Sequence, residues 1–174
     1  MTTPAPTQRR LVLMRHAQAE SFADDDHGRE LTARGTADAG AAGTWLSEQG
    51  IVVDHAVVSS ATRTRQTFAA MRAGAGSLLE PDIRIDLYSA GPESALDELR
   101  LCPDESTTLL LVGHNPTVAL LANLLQDGAG DPVAEARLAQ GYPPATITVL
   151  TFDGNWDQLS FGDCRLLDVH TARA

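Results

Sequence analysis

Lysine is absent from this 174-residue chain: all 13 of its basic residues are arginine. That excludes a Walker-type phosphate lysine, a kinase-type lysine and a Schiff-base lysine. Any anion bound here must be held by arginine, histidine, hydroxyls or backbone N–H groups. Aromatic residues are scarce too, at 5%, so the core is built mainly from Leu, Val, Ile and Ala. No apolar run approaches the roughly 20 residues needed to span a bilayer. The two cysteines, Cys102 and Cys164, lack CxxC spacing and suit a reducing, cytoplasmic setting, although the sequence leaves a bridge between them open. Positive charge is outnumbered by negative, for a net charge of −10. Such a chain repels nucleic acid and anionic lipid, so neither is an expected partner.

What is present points to one domain with a real core, at 43% hydrophobic content. Residues 1–8 are polar and Thr/Pro-rich, without the apolar stretch of a secretory signal, and read as a disordered lead-in to a single domain over 9–174. Leu11–Met14 is long enough for a buried strand and too short for a helix. Thr32 is placed to cap an Ala-rich helix running to about Gly50, with Ala37, Ala41, Trp45 and Leu46 as its inward face. Strands follow at Ala56–Val58, Ile83–Leu87 and Thr108–Val112, with helices from about Thr62, at Glu93–Leu101 and at Thr117–Leu125. Pro116 fits the first turn of the last of these. Residues 127–144 form a Gly/Pro-rich excursion with one helical turn near Val133–Leu138. Thr146–Phe152 and Trp156–Phe161 read as a closing hairpin. This alternation predicts a three-layer α/β/α domain whose mostly parallel central sheet has an antiparallel edge.

Open α/β sheets bind ligands at the carboxyl ends of their strands. Three of the predicted strands end in polar or reactive groups: Arg15-His16, Ser59-Ser60 with Arg63 one turn on, and Gly113-His114-Asn115. Neighbouring strands lie roughly 5 Å apart, so these groups can converge. Arginine forks match phosphate oxygens, and helix starts near Thr62 and Pro116 add partial positive charge. The pocket is therefore predicted to bind an anion, with phosphate the best fit. Neither cysteine is followed six positions later by arginine, as a cysteine phosphatase requires. Asp24–Asp26 sits in a polar loop instead of directly after an apolar strand, as an aspartyl-phosphate enzyme would need, and reads as solvated. No residues cluster at zinc-ligand spacing. Histidine remains as the nucleophile, neutral and available near pH 7. His27, His55 and His170 read as structural, and Arg65 and Arg72 as solvated.

These residues resemble the histidine phosphatase superfamily, specifically its short bacterial SixA-type phosphohistidine phosphatase branch. "LVLMRHAQAE" resembles the family's opening strand and Arg-His motif, and "RELTARGTADA" its Leu-Thr-x-x-Gly helix start. "VVSSATRTRQT" is similar to its Ser turn followed by Arg-x-x-Gln-Thr, and "LLLVGHNPTV" to its second histidine motif. The four occur in family order across residues 11–118. The resemblance implies a phosphoglycerate mutase-like fold, a phosphohistidine intermediate on His16, and stabilisation of the transferring group by Arg15, Arg63 and His114. It implies no metal and no cofactor. Arg29, Ser21 and Asn115 are further candidates for substrate contact. Two departures stand out. Ala17 follows His16 where most of the superfamily has Gly, and Ser21 and Phe22 occupy the loop where Asn is usual. Larger members also supply a carboxylic acid near the third strand; here Tyr88 lies near that place, and neither Asp86 nor Glu93 is a clear match.

Without a strong acid, good leaving groups are favoured, and phosphohistidine offers one. The expected substrate is thus a phosphorylated protein carrying phosphohistidine. The alternatives are a small phosphorylated molecule, with residues 127–144 folded over the pocket, and a non-catalytic phosphate-binding module.

Overall fold

The computed structural model describes residues 8–174. The expected lead-in otherwise lies outside these residues, but Gln8, assigned to it, is already the first residue of β1. The sheet has six strands: β1 (Gln8–Arg15), β2 (His55–Ser59), β3 (Asp82–Arg84), β4 (Thr108–Gly113), β5 (Thr146–Asp153) and β6 (Arg165–Thr171). Their spatial order is β3-β2-β4-β1-β5-β6. The first four in that order run parallel, and β5 is antiparallel to both of its neighbours. Five helices, α1 (Ala33–Glu48), α2 (Thr62–Gly74), α3 (Pro92–Arg100), α4 (Thr117–Leu124) and α5 (Pro132–Ala139), cover the sheet.

The two-residue period of a strand divides the core into two layers. Leu11 and Leu13 of β1, with Leu109 and Leu111 of β4, face α3, α4 and α5. Val12 and Met14, with Leu110 and Val112, face α1 and α2. Both faces of these central strands are buried, which explains their continuous apolar runs. The three-layer α/β/α arrangement expected from the sequence is the observed one.

Four local expectations are corrected. The inward face of α1 is Gly35, Ala39, Ala42, Gly43 and Leu46, while Ala37 is exposed and Ala41 and Trp45 are only half-buried. Close backbone packing sets this face: a Cβ on Gly43 would lie 1.8 Å from the Met71 carbonyl oxygen on α2. Only Asp82–Arg84 pairs as β3, and Ile85–Leu87 turns into a 3₁₀ helix. Residues 127–144 hold a two-turn helix, α5, whose Asp131 side chain caps the amides of Val133 and Ala134. Pro116 precedes α4 as its cap residue, after a cis bond to Asn115.

The closing hairpin also has a different second arm. Trp156–Gln158 is a 3₁₀ turn, and the fully buried Trp156 donates from Nε1 to the Ser106 carbonyl at 2.8 Å. The partner of β5 is β6. Cys102 and Cys164 are free, buried thiols.

Candidate active site

The strand order makes β2, β4 and β1 neighbours, and the register aligns Arg15 with Gly113 and Val58 with Val112. Their carboxyl ends therefore deliver Arg15-His16, Ser59 and His114 to one place. His16 extends the ladder with its amide on the Gly113 carbonyl at 3.0 Å. Its ring lies 5.4 Å from that of His114, centroid to centroid. Nδ1 of His16 stands 2.8 Å from the Ala17 carbonyl oxygen. A carbonyl can only accept, so Nδ1 carries the hydrogen and Nε2 the lone pair. The imidazole is thus held in the tautomer a nucleophile needs.

A cavity of about 280 Å3 is lined by His16, Arg15, Arg29, Arg63, His114 and Asn115, together with Gln18, Ala19 and Pro144. Arg15 donates from Nη1 to the Tyr142 carbonyl at 2.9 Å, and Asn115 donates from Nδ2 to the same oxygen at 2.9 Å. Arg63, buried at the start of α2, donates from Nη1 to the Asp26 carbonyl at 2.8 Å. Among the described residues six buried side-chain atoms lack a hydrogen-bond partner: His55 Nε2 and Arg84 Nε elsewhere, and Arg15 Nε, Arg63 Nε, His114 Nδ1 and Asn115 Oδ1 on residues that line this cavity. Buried polar groups are normally paired, so this concentration at one cavity marks a ligand site. No group of three or more His, Cys, Asp or Glu side chains among the described residues could hold a metal ion.

Residues of the motifs quoted above hold this geometry from outside the cavity. The Thr67 hydroxyl accepts the Ala17 amide at 3.0 Å and donates to the Arg63 carbonyl at 2.7 Å. Gln66 accepts the Leu31 amide at 2.7 Å. Thr32 caps α1 through the Gly35 amide at 2.9 Å and donates to Gln18 Oε1 at 3.0 Å. Gly35 must lack a side chain, because a Cβ there would meet the Gln18 carbonyl oxygen at 2.0 Å. Each motif residue thus fixes the loop that follows His16.

Burial pushes the His16 imidazole down to about 4, and Arg63 and Arg15 act in the same direction against the opposing Ala17 bond. Burial likewise pushes His114 down to about 3, helped by His16 and Arg63. Both rings are neutral at pH 7, while three guanidiniums give the cavity its positive field. An anion entering it meets charge that is already in place.

Ser21 is exposed and does not line the cavity. Asp86 and Glu93 are exposed and equally outside it. His27 packs against Ser60 and Tyr88 at the cavity's flank. Arg72 pairs with Glu80 and covers Phe68 instead of standing free in solvent. The Asp24–Asp26 loop is exposed as expected, but the Asp26 carboxylate also pairs with Arg29 and Arg63 and accepts the Tyr88 hydroxyl. Tyr88 also stands edge-on to His114 at 5.6 Å. The signal for Asp26 in the sequence is its position three residues before Arg29. Composition alone hid it among three identical residues.

The fold and cavity together define an α/β protein with an arginine-lined cavity beside a neutral histidine. The profile of the histidine phosphatase superfamily (branch 1) matches residues 11–91. An uncharacterised protein of Mycobacterium tuberculosis is 37% identical over 163 residues, covering 92% of this chain and all of that protein. A phosphohistidine phosphatase SixA homolog of Haemophilus influenzae is 30% identical over 158 residues, 86% of this chain and 92% of that one. A solved candidate phosphohistidine phosphatase SixA from Nakamurella multipartitia superposes with a TM-score of 0.84 at 36% identity, covering 98% and 99% of the two chains. This chain belongs to the histidine phosphatase superfamily, and its fold is phosphoglycerate mutase-like.

Proposed function

We propose that the protein is a metal-independent phosphatase that accepts a phosphoryl group on His16 Nε2 and passes it to water, and that its substrate is a phosphohistidine-bearing protein of the cytoplasm. The observation that carries this reading is the Nδ1 bond of His16 to Ala17, which aims an unprotonated Nε2 at a cavity lined by three arginines. In the first step Nε2 attacks phosphorus in line, and the bond from phosphorus to the substrate's ring nitrogen breaks. Arg15, Arg63 and Arg29 balance the charge spread over the equatorial oxygens, which is the main catalytic demand in phosphoryl transfer. Water then attacks the phosphohistidine, releasing inorganic phosphate and restoring neutral His16.

Leaving-group chemistry supports the substrate class. No carboxylic acid lines the cavity, and Asp26, the acidic group beside it, is held ionised at about 2, chiefly by the Tyr88 hydroxyl. An alkoxide needs a proton from the enzyme as it leaves, whereas an imidazole leaving group, whose unmodified form has a pKa of about 6.5, can take its proton from solvent. Access supports it as well. Helix α5 packs on β6, and of residues 127–144 only Pro144 lines the cavity, which suits a protein-sized substrate. The two free thiols suit a reducing compartment.

A phosphohistidine peptide and a panel of phosphomonoesters test the proposal. Turnover should favour the peptide and vanish, with the phosphoenzyme, in His16→Ala. A preference for sugar phosphates would move the substrate to a small metabolite, and unchanged turnover in His16→Ala would remove the nucleophile.

A further inference from the structure

We propose that Asp26 is a positioning residue: its carboxylate, oriented by the Tyr88 hydroxyl, holds Arg63 and Arg29 in the arrangement that receives the phosphoryl group. The proposal rests on the phosphatase reading for its functional meaning, and on geometry for its content.

Asp26 touches both arginines through different atoms. Its Oδ1 accepts Arg29 Nε at 2.9 Å, while its Oδ2 accepts Arg63 Nη2 at 3.3 Å and the Tyr88 hydroxyl. Its main-chain carbonyl accepts Arg63 Nη1 at 2.8 Å and the Arg29 amide at 3.2 Å. One residue therefore ties together the loop after β1, the first turn of α2 and the segment after β3. Tyr88 is itself fixed by packing. Its ring stands edge-on to His27 at 4.8 Å and to His114 at 5.6 Å, with the Arg63 guanidinium 5.9 Å from its centroid.

The charge balance explains why a carboxylate belongs there. Arg29 and Arg63 both line the cavity, and two guanidiniums aimed at one small volume repel each other. An anion between them offsets that repulsion before any ligand arrives. Arg15, Arg29 and Arg63 set against Asp26 leave two positive charges, the match for a phosphoryl dianion. Asp26 engages only two of the five N–H donors of Arg63, so it does not exhaust that guanidinium's capacity.

A rival arrangement has Asp26 as an internal anion that competes with phosphate for Arg63. The contacts oppose it. The shorter Arg63 bond goes to the neutral main-chain oxygen, which a phosphoryl group need not displace, and Asp26 does not line the cavity.

The full-length protein with Asp26→Asn, Tyr88→Phe and the double substitution tests this, with the exposed Asp24→Asn as control. Asp26→Asn should lower kcat on a phosphohistidine peptide by about 10- to 100-fold, the scale of a misplaced catalytic group, with a smaller change in KM. Vanadate binding measured by calorimetry should weaken by a comparable factor, while the thermal midpoint stays close to that of the wild type. Tyr88→Phe should lose less in the same direction, and the double variant should be no worse than Asp26→Asn, because Tyr88 acts through Asp26. Tighter vanadate binding in Asp26→Asn would establish the competitor arrangement and overturn the proposal, as would an unchanged kcat or additive losses. Vanadate affinity needs no turnover. A wild type that hydrolyses nothing would thus sink the phosphatase reading, while the affinities would still decide the role of Asp26.

Discussion

The Nδ1–H of His16 donates to the carbonyl of Ala17, the next residue in the chain, at 2.8 Å. A ring anchored to its own backbone cannot rotate without breaking that bond, so tautomer and direction are set together. The Ala17 amide is in turn held by Thr67, so the nucleophile's geometry depends on α2 as well as on β1.

The first consequence is a titration. His16 should stay in the neutral Nδ1–H form down to about pH 5, because its folded value is about 4 against an ordinary value of about 6.5. Nitrogen-detected NMR of the ring through a pH series reads this directly. A midpoint at 6 or above in the free protein would contradict the burial-dominated environment described here.

Stability must follow the same sign. Unfolded, His16 and His114 take up protons below about pH 6.5, while the folded rings resist until about 4 and about 3. The unfolded state then binds more protons, so stability falls as pH drops from about 6.5 to about 3 and gains nothing above it. Each ring contributes a slope of about 1.4 kcal/mol per pH unit within its window. Urea unfolding of His16→Ala and His114→Ala, compared with wild type at pH 7 and pH 5, should show a shallower loss in the variants.

Thr67→Val keeps the shape of a fully buried side chain but removes both of its hydrogen bonds. The Ala17 amide would be left without a partner, at a cost of about 1–3 kcal/mol. Chemical denaturation should show that loss. Turnover should fall further than stability alone explains, because the displaced group adjoins His16. Full activity in a folded Thr67→Val protein would show that Ala17 is held by other means.

Gly35→Ala should be costly although alanine favours helices. Its Cβ would overlap the Gln18 carbonyl, and overpacking of this kind costs about 1–3 kcal/mol. The obstacle is backbone, so the loop carrying Gln18 must move, and catalysis should suffer with stability. Ala37→Gly, on the exposed side of the same helix, should cost about 1 kcal/mol at most and leave activity intact.

The elements that carry the chemistry were the legible ones, for physical reasons. β1 and β4 are buried on both faces, so Leu11–Met14 and Leu109–Val112 stand out as unbroken apolar runs, and each is followed two residues later by a histidine. β6 was hidden because a bulge interrupts its alternation. Leu150 pairs with Leu166 but Val149 with Asp168, leaving Leu167 as the extra residue, so the buried positions fall at Leu166 and Val169. Trp156 and Leu159 took the place of that strand in the pattern because both are fully buried, but they are buried beneath a turn. The α1 face departs from the one its sequence pattern predicts because glycine carries no hydrophobic signal, and close helix packing selects glycine. The role of Asp26 is not legible in the sequence because it comes from Arg63 and Tyr88, which lie far from it along the chain and reach it only in the fold.

Ser59 gives the last prediction. It is fully buried at the end of β2, and its hydroxyl lies 2.7 Å from His114 Nε2. His114 Nδ1 is buried without a partner among the described residues. If the hydroxyl donates to Nε2, the ring hydrogen sits on Nδ1, where it can donate to an anion. The opposite tautomer would leave Nδ1 with a lone pair that repels phosphate oxygens, so binding selects the first. Ser59→Ala removes the hydroxyl that enforces this choice and leaves Nε2 unsatisfied. Turnover should fall about 10-fold or more, on the scale of a misdirected electrostatic donor, with vanadate affinity falling alongside it. NMR of the wild type at pH 7 should report the Nδ1–H form of His114. Finding the Nε2–H form in the vanadate complex would rule out this donor role, because the hydrogen would then point at Ser59 and away from the anion.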